Sequence, residues 1–197
     1  MTMKLSQLIK ERTEANHDRL EMQMYVNEIF TRRLSYSQYC DLVQVNYAVI
    51  AAIEQDIHAA LPVELQQQLQ TDKRSKLQSL ENDLQALSLY KTVMHHPYKP
   101  KYTNTAEALG GMYVVEGATL GGNVIARRLK EIPVLAEQPF HFYTVYGDEL
   151  SNNWLVFKDV LDTKVQPEDF EKCIAKANET FDFYHKLAVN MMSGVKL

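Results

Sequence analysis

The sequence predicts an all-helical fold, and three observations support this prediction. Apolar residues recur three or four positions apart in most segments, which is the periodicity of one buried face of an α-helix. Prolines and capping residues stand at the ends of these segments rather than inside them. No pair of neighbouring segments alternates apolar and polar residues as a β-hairpin would. We therefore expect a single helical domain over residues 1–197, with roughly seven helices.

Two helices are expected at the start of the chain. Apolar residues at helical spacing predict a first helix over 5–24. A second helix is expected over 35–61, because Ser35 followed by Gln38 forms a capping-box pattern and Pro62 stops the run. The polar segment that follows keeps helical spacing in its leucines, which are Leu77, Leu80, Leu84 and Leu87.

The second half of the chain is expected to contain three long helices. The segment "HHPYKPKYTN", with two prolines, predicts a loop before a long helix that Asn104 or Thr105 caps. This helix is expected to continue to about residue 130, where Pro133 ends it. Two further helices are predicted over 146–161 and from near Pro167 to residue 192.

Composition narrows the class of protein. An apolar content of 46% and a charged content of 23% are ordinary for a soluble globular domain. The formal net charge of −4 argues against a general nucleic-acid binder. No segment approaches the ~20 apolar residues of a membrane span, and the N-terminal segment lacks the apolar core of a secretory signal. Cys40 and Cys173 form no metal or redox motif, so a cytoplasmic protein is the simplest interpretation.

The predicted helix that begins near residue 105 is rich in glycine. Five of the seven glycines in the chain fall within residues 110–122, including Gly117, Gly121 and Gly122. Each glycine in a helix interior costs about 1 kcal/mol relative to alanine. Something must therefore approach this backbone closely. One candidate is another helix in the core, and the other is a flat ligand that lies against the backbone where side chains are missing.

Other interpretations of these glycines fit the sequence less well. A phosphate-binding loop would need a lysine where Asn123 stands. The dinucleotide motif G-x-G-x-x-G is absent. A glycine-based dimer motif of membrane helices is excluded by the charged residues close to it, Glu107, Glu116 and Arg127.

A polar stripe on the first helix is the second unusual feature. Thr13, His17 and Glu21 recur every four residues and so share one face. Lys10 lies two turns before His17 on nearly the same face, about 10.5 Å away along the axis. A solvent-exposed face with one bystander histidine would explain this stripe. Alternatively, His17 ligates iron and Lys10 meets carboxylates at the edge of the same planar cofactor.

Both features resemble one known family. The segment "TEANHDRLE" around His17 resembles the proximal helix of heme oxygenases, and "YVVEGATLGGNVIARRL" resembles their distal helix in its bacterial, biliverdin-producing form. The two motifs occur in the family's order, and "KANETFDFYHKL" is similar to the family's last long helix. The resemblance implies a multi-helix bundle that binds heme between the first helix and a kinked, glycine-rich distal helix.

The resemblance also implies roles for individual residues. His17 matches the axial heme ligand, with Glu21 or a nearby carbonyl orienting its imidazole ring. Lys10 matches the lysine next to a heme propionate, and Lys158 is expected to supply a second propionate contact. Positions expected to line the heme pocket or its distal face are Tyr113, Gly117, Gly121, Gly122 and Phe181.

The implied reaction is the oxidative cleavage of heme to biliverdin, carbon monoxide and ferrous iron. Heme is both cofactor and substrate, dioxygen is the oxidant, and the distal glycines are expected to give dioxygen room beside the macrocycle. No flavin or iron–sulfur motif occurs in the sequence, so a separate donor such as ferredoxin or a reductase is expected to supply electrons. One departure is Ala118, which stands where mammalian-type members carry an aspartate that orders water. Bacterial-type members commonly lack this aspartate too.

Three alternative functions remain open at this stage. A non-catalytic heme carrier or sensor would use the same fold and the same His17. A thiaminase-like helical enzyme would need a nucleophilic cysteine, for which Cys40 is the candidate, with no acidic residue beside it other than Asp41. A helical interaction module without a cofactor would leave the glycines and the polar stripe unexplained.

Overall fold

The computed structural model of the chain describes residues 3–91 and 98–193. The predicted all-helical class is confirmed, because no β-strand occurs within these two ranges. The helices are α1 (Leu5–Gln23), α2 (Val26–Phe30), α3 (Tyr36–Ala59), α4 (Val63–Leu69), α5 (Leu77–Ala86), α6 (Thr105–Leu120), α7 (Gly122–Lys130), α8 (Leu150–Lys164) and α9 (Phe170–Met192). The described part of the chain contains no helix with the length and apolarity to cross a membrane.

Helix α3 begins at the expected capping box. The Ser35 hydroxyl accepts a hydrogen bond from the Gln38 amide at 3.2 Å, and the Gln38 side chain accepts one from the Ser35 amide at 2.8 Å. Asn104 caps α6 in a similar way, since its side chain accepts from the Glu107 amide at 3.0 Å. Both helix starts therefore lie where the sequence predicts them.

Several boundaries differ from the prediction. The first predicted helix is followed by a separate short helix, α2, because Tyr25 adopts a left-handed backbone conformation with φ of 54°. The polar segment 64–90 folds as two helices, α4 and α5. The helix expected from residue 146 begins at Leu150, after a short 3₁₀ turn over Gly147–Glu149. Part of the predicted proline loop lies in 92–97, outside the described residues.

The predicted helix over 105–130 is broken at one glycine. Helix α6 ends at Leu120 and α7 begins at Gly122, because Gly121 has φ of −81° and ψ of 0°, outside the α-helical region. The amides of Val124 and Ile125 both donate to the Gly121 carbonyl at 3.0 Å, which starts the new helix. The distal segment is therefore two helices that meet in a bend at Gly121 rather than one continuous helix.

Two of the five clustered glycines allow helices to pack closely. A Cβ atom at Gly110 would overlap the backbone carbonyl of Cys173 on α9. A Cβ atom at Gly111 would overlap the ring of Tyr102. Both glycines are buried, and α6 packs along α9 in the centre of the hydrophobic core. At these two positions the explanation is the packing of α6 against its neighbours in the core.

Candidate functional site

His17 lies on the exposed face of α1, next to two carboxylates. Its side chain is 53% exposed. Nδ1 lies 3.5 Å from a carboxylate oxygen of Asp18, and Nε2 lies 3.7 Å from one of Glu21. The ligand atoms of these three side chains lie within 4.8 Å of one another. The imidazole is therefore accessible to a ligand, with a carboxylate available to orient its second nitrogen. The sequence analysis did not identify Asp18 for this position.

Phe181 supports the imidazole from α9. The two ring centroids are 6.0 Å apart, and the planes are inclined by 82°, which is an edge-to-face contact. Phe181 is buried, so it forms a fixed apolar surface beside the exposed His17. The structure thus brings together two residues that are 164 positions apart and that both belong to the predicted site.

The glycines of the distal segment fall into two groups. A Cβ atom at Gly117 would meet no atom within 4 Å, and one at Gly121 would meet only Ile125 of its own helix turn, at 3.7 Å. A Cβ atom at Gly122 would overlap the backbone of Tyr143. Gly122 was expected to face the ligand with the other two, but it is buried against a loop, and its missing side chain serves packing.

Tyr113 connects the distal helix to α1. Its phenol lies near Thr13, and burial raises the pKa of this phenol while the nearby Thr13 hydroxyl lowers it. His17 lies one turn after Thr13 on α1, and Gly117 lies one turn after Tyr113 on α6. The two helices therefore approach each other at this point. One turn further along each helix lie the exposed imidazole of His17 and the open backbone at Gly117, and we call the space expected between them the slot.

Lys10 on α1 and Lys158 on α8 lie at about the same height along the contact between these two helices. Near one end of this contact, Asp162 on α8 accepts hydrogen bonds from the backbone amide and hydroxyl of Ser6, at 2.7 and 2.8 Å. Near the other end, Trp154 on α8 packs on Tyr113, with ring centroids 5.8 Å apart, beside Thr13. Both lysines fall midway between these ends.

Lys10 and Lys158 are also available to a ligand. Lys10 is exposed and Lys158 is half-buried, and neither forms an ion pair with another described residue. Their ammonium groups can therefore bind the carboxylates of a ligand that lies in the slot. The two propionate contacts expected from these lysines stay a prediction.

The chemistry of the slot fits a flat, largely apolar ligand with an acidic edge and a metal centre. The space beyond Gly117 is open at a position where any other residue would place a Cβ atom. Leu120 and Val124, each three residues after one of the two open glycines, present exposed apolar surface. An imidazole, an open backbone and two unpaired lysines are the groups that heme would need in order to bind here.

A buried ionic cluster lies next to the distal glycines, and the sequence analysis missed it. Glu116 accepts hydrogen bonds from Arg74 at 2.7 Å, from Lys76 at 2.7 Å and from the Tyr146 hydroxyl at 2.9 Å. Burial would raise the pKa of Glu116, but Lys76 and Arg74 hold it below its usual value. The carboxylate is therefore ionised and fully bonded. A lone glutamate in the apolar run "MYVVEGATL" was the one sequence signal for such a cluster.

Comparison with known proteins gives a consistent result. The family model described as heme oxygenase matches residues 3–190. A curated protein named heme oxygenase, from Xanthomonas campestris pv. campestris (strain 8004), is 29% identical over 113 residues. This alignment covers 57% of the present chain and 66% of that relative, just under two thirds of its length.

Solved structures share the same fold. The heme oxygenase from Neisseria meningitidis, solved with NO and CO bound, has a TM-score of 0.77 and 21% identity, over 98% of this chain and 94% of that one. The Leptospira interrogans heme oxygenase has a TM-score of 0.75 and 16% identity, over 94% and 98% of the two chains. A heme complex of heme oxygenase-1 from the cyanobacterium Synechocystis has a TM-score of 0.74 and 18% identity, over 98% and 96%.

Proposed function

Since the heme oxygenase family model matches 188 of its residues, from 3 to 190, this chain belongs to the heme oxygenase family, and we propose that it cleaves heme to biliverdin, carbon monoxide and ferrous iron. Heme degradation is the function of this family. The observation that carries the proposal is the combination of an exposed imidazole on α1 with a side-chain-free, open stretch of backbone at the end of α6. Bound heme supplies the redox-active iron at which dioxygen reacts.

His17 is the residue that would hold the iron of bound heme. A neutral imidazole donates one nitrogen to iron, and its second nitrogen is commonly oriented by a carboxylate or carbonyl. Either Asp18 or Glu21 can take this second role, because each lies beside a different ring nitrogen. Phe181 limits the tilt of the ring from behind.

Lys10, Lys158 and Tyr113 are proposed to hold the propionate edge of heme. Two ammonium groups and one phenol can neutralise and bind two carboxylates. Because Lys10 lies two turns before His17, these contacts also fix the rotation of the macrocycle above the imidazole. Which edge of heme faces the distal helix therefore depends on these residues.

Gly117 and Gly121 are proposed to shape the distal side. No side chain occupies the space next to their backbone. If heme is held opposite this backbone, the open space would leave room for dioxygen beside the macrocycle, and a bulkier residue at either position would fill that room. Ala118 contributes no carboxylate to this side, so the proton-delivering water is held by other groups.

The electrons for the reaction are proposed to come from a separate protein. The sequence carries no flavin or iron–sulfur motif. Ferredoxin and flavin-dependent reductases are the two donor classes that would serve. The exposed position of His17 on α1 is consistent with a heme that lies near the protein surface.

The test is a turnover experiment with hemin in air. Purified protein is loaded with one equivalent of hemin, and ascorbate or a ferredoxin–reductase pair is added. The proposal predicts biliverdin by chromatography and one carbon monoxide per heme in a reduced-globin trap. Hemin that binds but is recovered intact would instead identify a carrier or sensor on this fold.

A further inference from the structure

The bend between α6 and α7 is held by a loop that contacts it at three points. We call residues 140–147 the clamp loop. Before the bend, the Tyr146 hydroxyl donates to Glu116 at 2.9 Å. Immediately after the bend, the Tyr143 backbone packs on Gly122. One residue further on, the Asn123 side chain donates to the Gly147 carbonyl at 3.1 Å.

The clamp loop is itself rigidly attached to the core. The carboxylate of Asp83 on α5 accepts hydrogen bonds from the backbone amides of His141 and Phe142, both at 2.8 Å. Phe140 and Phe142 are buried, and Phe140 packs edge-on against Tyr39 of α3 with centroids 5.4 Å apart. A loop anchored in this way can hold the segment that it contacts in a fixed position.

The glycines at and before the bend have no side chains that could hold this backbone in position. Gly117 and Gly121 carry no side chains, and their backbone faces open space on the slot side. The orientation of this backbone is therefore set by neighbouring residues that have bonded side chains. Glu116, which directly precedes Gly117, is bonded by three separate groups, Arg74, Lys76 and Tyr146.

We propose that Tyr146 and Asn123 are positioning residues, which hold the backbone at Gly117 and Gly121 in the orientation that selects the heme carbon to be attacked. Neither residue is among those proposed to contact heme. They act through Glu116 and through the first turn of α7. The part of the inference that concerns the attacked carbon rests on the proposed function, whereas the part that concerns the bend does not.

The first test uses the protein without heme. Tyr146→Phe removes the hydroxyl that donates to Glu116 and accepts from Lys76 before the bend, and Asn123→Ala removes the hydrogen bond to the Gly147 carbonyl after it. Amide hydrogen exchange at Val124 and Ile125, whose amides bond to the Gly121 carbonyl, is expected to become about fivefold faster in both variants. Unchanged exchange in both would overturn the positioning role.

The matched control is Tyr102→Phe. This substitution also removes a part-buried hydroxyl hydrogen bond, between Tyr102 and Thr180 at 3.0 Å, but the partner lies on α9 and outside the clamp loop. Its melting temperature is expected to fall as in Tyr146→Phe, while exchange at Val124 and Ile125 stays at the wild-type rate. Equal acceleration in this control would mean that the effect is general loosening, and it would count against the inference.

The second test uses the hemin-loaded protein. Tyr146→Phe and Asn123→Ala are expected to bind hemin with wild-type affinity but to give a changed ratio of biliverdin isomers, whereas Tyr102→Phe is expected to keep the wild-type ratio. A wild-type isomer ratio in both variants, despite faster exchange, would overturn the claim about the attacked carbon. Absence of any heme cleavage in the wild type would overturn the proposed function instead, and the exchange result would still decide whether the clamp loop holds the bend.

Discussion

Replacing Gly117 with alanine separates the ligand-binding and packing explanations of the glycine-rich segment. In the structure the added methyl group would meet no atom within 4 Å, so the protein without heme can accommodate it. Gly110→Ala is the matched control on the same helix. There the methyl group would overlap the Cys173 carbonyl, which belongs to the backbone of α9 and cannot rotate away.

The two substitutions should change stability in opposite directions. Gly117→Ala gains helix propensity of up to about 1 kcal/mol. Gly110→Ala has the same gain, but overpacking costs about 3 kcal/mol at the upper end of the usual range, which leaves a net loss of about 2 kcal/mol. For a domain of this size 1 kcal/mol corresponds to about 2–4 °C in Tm. We expect Gly117→Ala to melt about 2–4 °C higher than wild type, and Gly110→Ala about 4–8 °C lower.

The effects on hemin should be the reverse. The methyl group at Gly117 enters the slot, where an overpacking cost of about 1–3 kcal/mol corresponds to about a 5- to 150-fold loss in hemin affinity or turnover. Gly110→Ala should bind and cleave hemin normally per folded molecule. Calorimetric melting without heme, followed by hemin titration and turnover of the same samples, measures both quantities. A large loss of apo-protein stability in Gly117→Ala with normal turnover would refute the reasoning.

The remaining predictions concern charged residues. Lys10→Ala and Lys158→Ala should each weaken hemin binding by about 1 kcal/mol or less, because each would remove an ion pair with a propionate near solvent. Both should also change the ratio of biliverdin isomers. Unchanged affinity and ratio in both variants would contradict the propionate contacts. Glu116→Gln should lower the free energy of unfolding by about 3–5 kcal/mol at pH 7, because it leaves Arg74 and Lys76 buried without their counter-charge. The folded-state pKa of Glu116 is depressed, so its ionisation stabilises the fold above the unfolded pKa of about 4.3. This contribution is lost as the pH falls through the folded pKa. The free energy of unfolding, measured with urea between pH 3 and 7, should therefore depend less on pH in Glu116→Gln than in the wild type. An identical pH profile would contradict the ionised state of Glu116.

Local signals in the sequence were sufficient for the helical class and for several helix ends. The capping box at Ser35 and the N-cap at Asn104 are read from adjacent residues, and the structure contains both. The bend at Gly121 is harder to predict from the sequence, because a helix can either continue through a glycine or end at it. Its neighbours decide, and the packing of Tyr143 on Gly122 connects residues that are 21 positions apart.

The candidate site shows the same limit. A polar stripe on one helix indicated His17, since spacing within a helix is visible in the sequence. The division of the glycines into packing and open positions is not visible, because Gly110 and Gly117 differ only in what other helices bring near them. The partners of Glu116 come from two other segments, so no local pattern could have paired them.

The central claim is that His17 ligates heme in a slot opposite Gly117 and Gly121, and an optical titration with hemin tests it most directly. The account predicts binding of one hemin per chain with the spectrum of a histidine-ligated heme. His17→Ala should lose this spectrum, and added imidazole should restore it, because the space left by the side chain opens to solvent. A His17→Ala variant that keeps the wild-type spectrum would contradict the account.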